Sequence, residues 1–83
     1  MNIDDLLTYP NGTVLIVTNV SDIQYGEEIR KKLQGKHQII NEPIFGDIKD
    51  VDPEGVAYDY GFIGTVKVWK NEKSILIYGI IEK

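Results

Sequence analysis

Apolar residues follow two rhythms along this chain. Thr13 to Val20 (Thr-Val-Leu-Ile-Val-Thr-Asn-Val) is β-branched and apolar at successive positions, the pattern of a central strand covered on both faces. Ser74 to Glu82 behaves alike, with Ile75, Ile77 and Ile81 on one side and Leu76, Tyr78 and Ile80 on the other. Phe62 to Trp69 alternates, and the polar tetrapeptide Lys70-Asn71-Glu72-Lys73 joins it to Ser74, which predicts a C-terminal β-hairpin, 62–69 with 74–82. In that hairpin Phe62, Val66 and Val68 share one face, and Ile63, Thr65, Lys67 and Trp69 the other.

The helical rhythm occupies residues 22–34. Tyr25, Ile29, Leu33, Gly26 and Ile23 fill one arc of the wheel; Glu27, Lys31, Glu28 and Lys32 fill the other. Ser21 and Gln24 are spaced as a capping box, and Gly35 is placed to end the helix. Ile3 to Thr8 predicts one or two further helical turns before the breaker Tyr9-Pro10-Asn11-Gly12. His37 to Asn41 reads as a short strand halted near Pro43, Gly46 to Gly55 as an acidic loop, and Val56 to Tyr60 as an alternating strand. Gly61 and Gly64 then mark a bulge or bend.

These elements predict an α+β fold: an antiparallel, strongly bent sheet of four to five strands packed against one amphipathic helix at about 22–34. Strands apolar on both faces need two covers, and only one helix is evident. Either the sheet curls into a small barrel or a second copy covers its open face.

Length and composition set limits. Residues 1–83 make one domain, and 42% hydrophobic with 27% charged residues is ordinary for a globular chain. No apolar run approaches the roughly 18–20 residues that span a bilayer. Met1-Asn2-Ile3-Asp4-Asp5 does not resemble a secretory signal. With no Cys there is no disulfide framework and no thiolate metal site. A cytoplasmic location is expected, with no membrane partner.

The net charge of −4 is concentrated in the middle of the chain. Between residues 41 and 62, Glu42, Asp47, Asp50, Asp52, Glu54 and Asp59 stand against Lys49 alone. Such a segment repels nucleic acid and anionic membranes and attracts a basic partner or a cation. Lys67, Lys70 and Lys73 make only a modest basic end on the hairpin.

No residue set points to catalysis. Nothing in the spacing selects an acid–base pair from the carboxylates. His37 has no visible Asp, Ser or Cys partner, Ser21 and Ser74 are explained by a cap and a turn, and Gly61-Phe62-Ile63-Gly64 lacks the Lys-Ser/Thr and helix of a phosphate loop. Asp50-Val51-Asp52-Pro53-Glu54-Gly55 has acids at the first, third and fifth positions of an EF-hand loop and Gly at the sixth. However, the twelfth position falls on Gly61, Pro53 sits inside, and the flanking segments read as strands, so a solvated turn is expected and no metal or cofactor is assigned.

The expected activity is therefore contact. A small non-enzymatic acidic protein would bind or inhibit a protein partner with a basic surface through Asp47, Asp50, Asp52 and Glu54, with Tyr58, Tyr60 and Trp69 as aromatic contacts. In size and charge, though in no motif, the chain is similar to the short acidic inhibitors that phages and other mobile elements encode against host defences. The alternative is a small-ligand module in which Tyr58, Tyr60 and Trp69 stack on a nucleotide or metabolite at a barrel mouth or dimer cleft. A homo-oligomer is compatible with either.

Overall fold

The computed structural model describes residues 3–81. Its strands are β1 (Thr13–Asn19), β2 (Gln38–Ile44), β3 (Phe62–Lys70) and β4 (Ser74–Ile81), in the spatial order β2-β1-β4-β3. Helix α1 (Ile23–Leu33) lies between β1 and β2, and α2 (Pro53–Asp59) between β2 and β3. Short 3-10 helices occupy Ile3–Thr8, Val20–Asp22 and Ile48–Asp50. The last residue expected in the hairpin, Glu82, lies outside the described residues.

The α+β class holds, but the sheet is mixed and not antiparallel. β1 and β2 run parallel, Thr13 beside Gln38 through Asn19 beside Ile44, whereas β1–β4 and β3–β4 are antiparallel. The physical reason is the helix. A parallel neighbour needs a crossover of a dozen or more residues, and the segment carrying α1 returns the chain to the start of β1. There the Gln38 N–H donates to the Gly12 carbonyl at 2.9 Å.

The sheet is also open, with β2 and β3 as its edges. Both of its faces are nevertheless covered, because the chain supplies a second lid. On one face Val14, Ile16 and Leu76 pack against Leu6, Ile29 and Leu33 from the N-terminal 3-10 helix and α1. On the other, Leu15, Val17, Ile75 and Ile77 pack with Ile48, Ala57 and Phe62. The lid on this second face is the stretch expected as an acidic loop and an alternating strand. Residues 56–59 are helical and Tyr60 caps the helix: Val56, Ala57 and Tyr60, at helical spacing, meet the core, while Tyr58 and Asp59 are exposed. Pro53 takes the first turn, where its missing N–H costs nothing, and Gly61 at φ 88° follows the helix. Two helices of seven or more residues thus replace the single helix expected.

The start of α1 also differs from expectation. Asn19, not Ser21, provides the side-chain cap, accepting from the Ser21 N–H at 3.1 Å, and Val20–Asp22 forms a 3-10 turn before α1 begins. The glycine expectation in β3 holds: pairing with β4 shifts register between Ile63 and Lys67, where Gly64 has φ 69°.

The backbone at Gly79 is closely covered by β3 side chains. A Cβ there would lie 2.8 Å from the Phe62 ring and 3.0 Å from Val66. Gly79→Ala should cost about 1–3 kcal/mol through overpacking, read as a lower denaturant midpoint. An unchanged midpoint would show that Phe62 is not seated against β4.

Candidate functional site

The acid-rich segment folds as the outer surface of the second lid. Asp47 caps the 3-10 turn Ile48–Asp50, its carboxylate accepting from the Lys49 N–H at 2.9 Å. Ile48 points inward and is buried, whereas Asp47, Asp50, Asp52 and Glu54 are exposed. Asp52 occupies the N-cap position of α2 without a side-chain cap bond, and Glu54 sits in the first turn, where the helix dipole favours a carboxylate. Alternation of inward apolar and outward acidic residues therefore fixes this surface. None of these four carboxylates forms an ion pair among the described residues.

The structure exposes the four acids along one segment but divides the aromatics. Tyr58 projects from α2 at 83% exposure, beside a groove of about 310 Å³ that Glu54, Ala57, Phe62, Gly64, Thr65 and Val66 complete. Tyr60 is half-buried on the same side, and its hydroxyl donates to the Glu42 carboxylate on β2. Trp69 packs with the opposite core, against Tyr9 at 5.9 Å between ring centroids. Tyr9 also meets Tyr78 at 5.2 Å and lies under the Lys67 ammonium. Tyr58, Tyr60 and Trp69 do not converge on one ligand. The placement of Tyr58 and Tyr60 depends on α2 being a helix, which the alternating pattern of residues 56–60 concealed, whereas Trp69 is turned to the other face by strand alternation in β3.

His37 is 5% exposed and both ring nitrogens are engaged. Nδ1 accepts from the Gly12 N–H at 3.1 Å, so Nε2 carries the proton and donates to the Leu6 carbonyl at 2.6 Å. It ties the N-terminal 3-10 helix to the start of β2 and leaves no nitrogen for chemistry. The EF-hand-like run is divided between the end of one 3-10 turn and the start of α2, so it does not wrap around a point. Among the described residues no three His, Cys, Asp or Glu side chains are grouped to hold a metal ion.

One contact candidate escaped the sequence reading. Phe45, just beyond β2, is 91% exposed. It borders a shallow hollow of about 330 Å³ shared with Asn19, Ser21, Asp22, Asp47 and Glu72. The loop is pinned, because the Asn19 side-chain amide donates to the Gly46 carbonyl at 2.7 Å. The available signal was a large apolar residue next to Gly46, outside any alternating run.

The Tyr60–Glu42 bond yields a test. Burial, then the hydrogen bond to Glu42 and its negative charge, push the Tyr60 hydroxyl from 10.0 up to about 12. A group whose pKa is raised on folding stabilises the protein fully below its unfolded value, and that contribution is lost as pH rises through the folded value. Stability should therefore decline between about pH 10 and about pH 12. Tyr60→Phe should remove this part of the decline and cost about 1 kcal/mol at neutral pH. Urea titrations of both proteins across the alkaline range check it, and identical pH slopes would refute the assignment. No family model, curated protein or solved structure matches this chain.

Proposed function

We propose that this chain is a non-enzymatic binding protein that acts by protein–protein contact on a partner with a basic surface, using the outward side of the second lid. The observation that supports this reading best is the exposure of Asp47, Asp50, Asp52 and Glu54 on one continuous cover segment, with no ion pair to any of them among the described residues. With six acids against Lys49 alone between residues 41 and 62, the segment projects a net negative field. A field of this sign speeds encounter with a cationic surface and repels polyanions.

Charge gives steering and apolar anchors give residence. Phe45 and Tyr58 are suited to that second role. Each presents nearly its whole ring to solvent, and each neighbours an acid of the segment: Phe45 shares its hollow with Asp47, together with Asp22 and Glu72 from elsewhere in the chain, and Tyr58 shares its groove with Glu54. A partner matching this surface carries lysines or arginines around an apolar recess. Inhibition would follow where that basic surface is itself a working site, such as a groove that otherwise holds nucleic acid. Size and charge favour this reading of an anti-defence type of inhibitor. Trp69 is left out of the contact set, because it is packed against Tyr9 on the other face.

The partner is to be found by native mass spectrometry of the protein purified gently from its own cells, then purified for titration. Asp50→Asn/Asp52→Asn/Glu54→Gln should weaken binding at least tenfold and flatten its salt dependence. Phe45→Ala should raise the dissociation rate, by about tenfold if it costs about 1.4 kcal/mol. Unchanged affinity in the triple variant, with the fold intact by circular dichroism, would sink the acidic-surface reading.

A further inference from the structure

The two open edges of the sheet are defended differently. On β2, Pro43 removes a backbone donor. β3 is nine residues long, contains no proline, and follows a regular register beside β4 from Lys67 to Lys70. Its outer edge carries Val68, which is 37% exposed, and borders the groove beneath Tyr58. Lysines on an edge strand discourage indiscriminate pairing because two of them placed opposite each other repel. They also restrict which pairing remains.

We infer that β3 is a self-association edge: two copies of this chain pair antiparallel through β3, with the two-fold axis at Val68. An axis at Lys67 or Lys70 would set identical lysines against each other, and an axis midway between Val68 and Trp69 would set Lys67 against Lys70. An axis at Val66 or earlier would run the pairing through the irregular stretch at Gly64. An axis at Trp69 or later runs off the strand into the turn after Lys70. An axis at Val68 pairs Lys67 with Trp69 and Val66 with Lys70 of the other copy.

Side-chain faces fit this register. Lys70 lies opposite Ile75 and Val68 opposite Ile77, both in the core under α2, so Val68 and Lys70 emerge on the α2 side of the sheet. Lys70 of one copy therefore arrives beside Val66 of the other, at the groove that Val66 and Glu54 both line. The charge complementarity occurs twice across a self-complementary interface. On the other side, Lys67 meets Trp69 of its mate, a cation facing an aromatic ring. The contact is small, which places the dimer among weak associations. Glu54 and Tyr58, both assigned to partner binding, line this groove, so the self-association surface overlaps the proposed contact there, whereas Asp47, Asp50, Asp52 and Phe45 lie outside it.

Sedimentation of the full chain from micromolar to millimolar concentration tests it. The expected result is a reversible shift from 9.4 kDa to twice that mass. Backbone amides of residues 66–70 should gain hydrogen-exchange protection as concentration rises. Lys70→Glu should weaken association at least tenfold, and Lys70→Glu/Glu54→Lys should restore it. Val68→Lys, at an already exposed position, should abolish it without loss of the fold. A monomer at every concentration overturns the inference, as does a dimer that neither Lys70→Glu nor Val68→Lys weakens.

Discussion

The structure depends on a requirement set by β1 and β4. Val14, Leu15, Ile16, Val17, Ile75, Leu76 and Ile77 are all at most 1% exposed, and they point to both sides of the sheet. Fully burying each such side chain contributes about 1.5–3 kcal/mol, so leaving one face bare would cost about as much as a domain of this size has as net stability. Two lids are obligatory. The first, α1 with Ile3–Thr8, is conventional: an amphipathic helix crossing between parallel strands. The second is built from fragments, a 3-10 turn and a helix of seven residues, neither long enough to be stable alone in water. Its order comes from the contacts that Ile48, Val56, Ala57 and Tyr60 make beneath it.

A lid assembled in this way also determines where charge can go. In a short segment, residues not needed inside face water, and here most of the outward ones are carboxylates. Asp47 and Glu54 serve the backbone as well, one by capping a turn and the other by sitting at a helix N-terminus. The acidity is partly explained by local folding before any partner is invoked. What local folding does not explain is why none of the four carboxylates is ion-paired among the described residues, or the display of Phe45 and Tyr58 among the acids. Those features carry the binding reading. The Tyr60–Glu42 bond belongs to the scaffold, fastening the end of α2 to the edge strand β2.

Much of the framework was legible in the sequence. The two-sided apolar runs identified β1 and β4, the 3.6-residue rhythm identified α1, and Gly64 located the bulge. The need for two covers was legible as well. The identity of the second cover was not, because Val56-Ala57-Tyr58-Asp59-Tyr60 satisfies an alternating pattern and a helical one at once. Pro53 after Asp52 was the deciding cue, since proline suits the first turn of a helix. The parallel pairing of β1 and β2 was missed for a related reason: strand patterns give faces, while direction follows from the length of the connection. At the level of the site, the acids were found as a group from charge alone. Trp69 was grouped with Tyr58 by closeness in sequence, and only the sheet separates them.

Because the acidic surface is the outside of a lid, the proposed binding would be coupled to folding there. A side chain beneath the lid holds the surface in shape without touching a partner. Weakening Ala57 or Val56 would loosen the acids into a flexible segment, which must then be ordered again on binding, at a cost in affinity but not in charge. The pinned loop carrying Phe45 limits the same cost at the other end of the segment, through the Asn19–Gly46 hydrogen bond. Preorganisation of this kind lets few residues make a specific contact, and a chain this short has few to spare. It also separates two kinds of damage. Under the proposed function, a substitution on the outside of the lid would alter steering and leave stability nearly constant, whereas one on the inside would alter stability and affinity together.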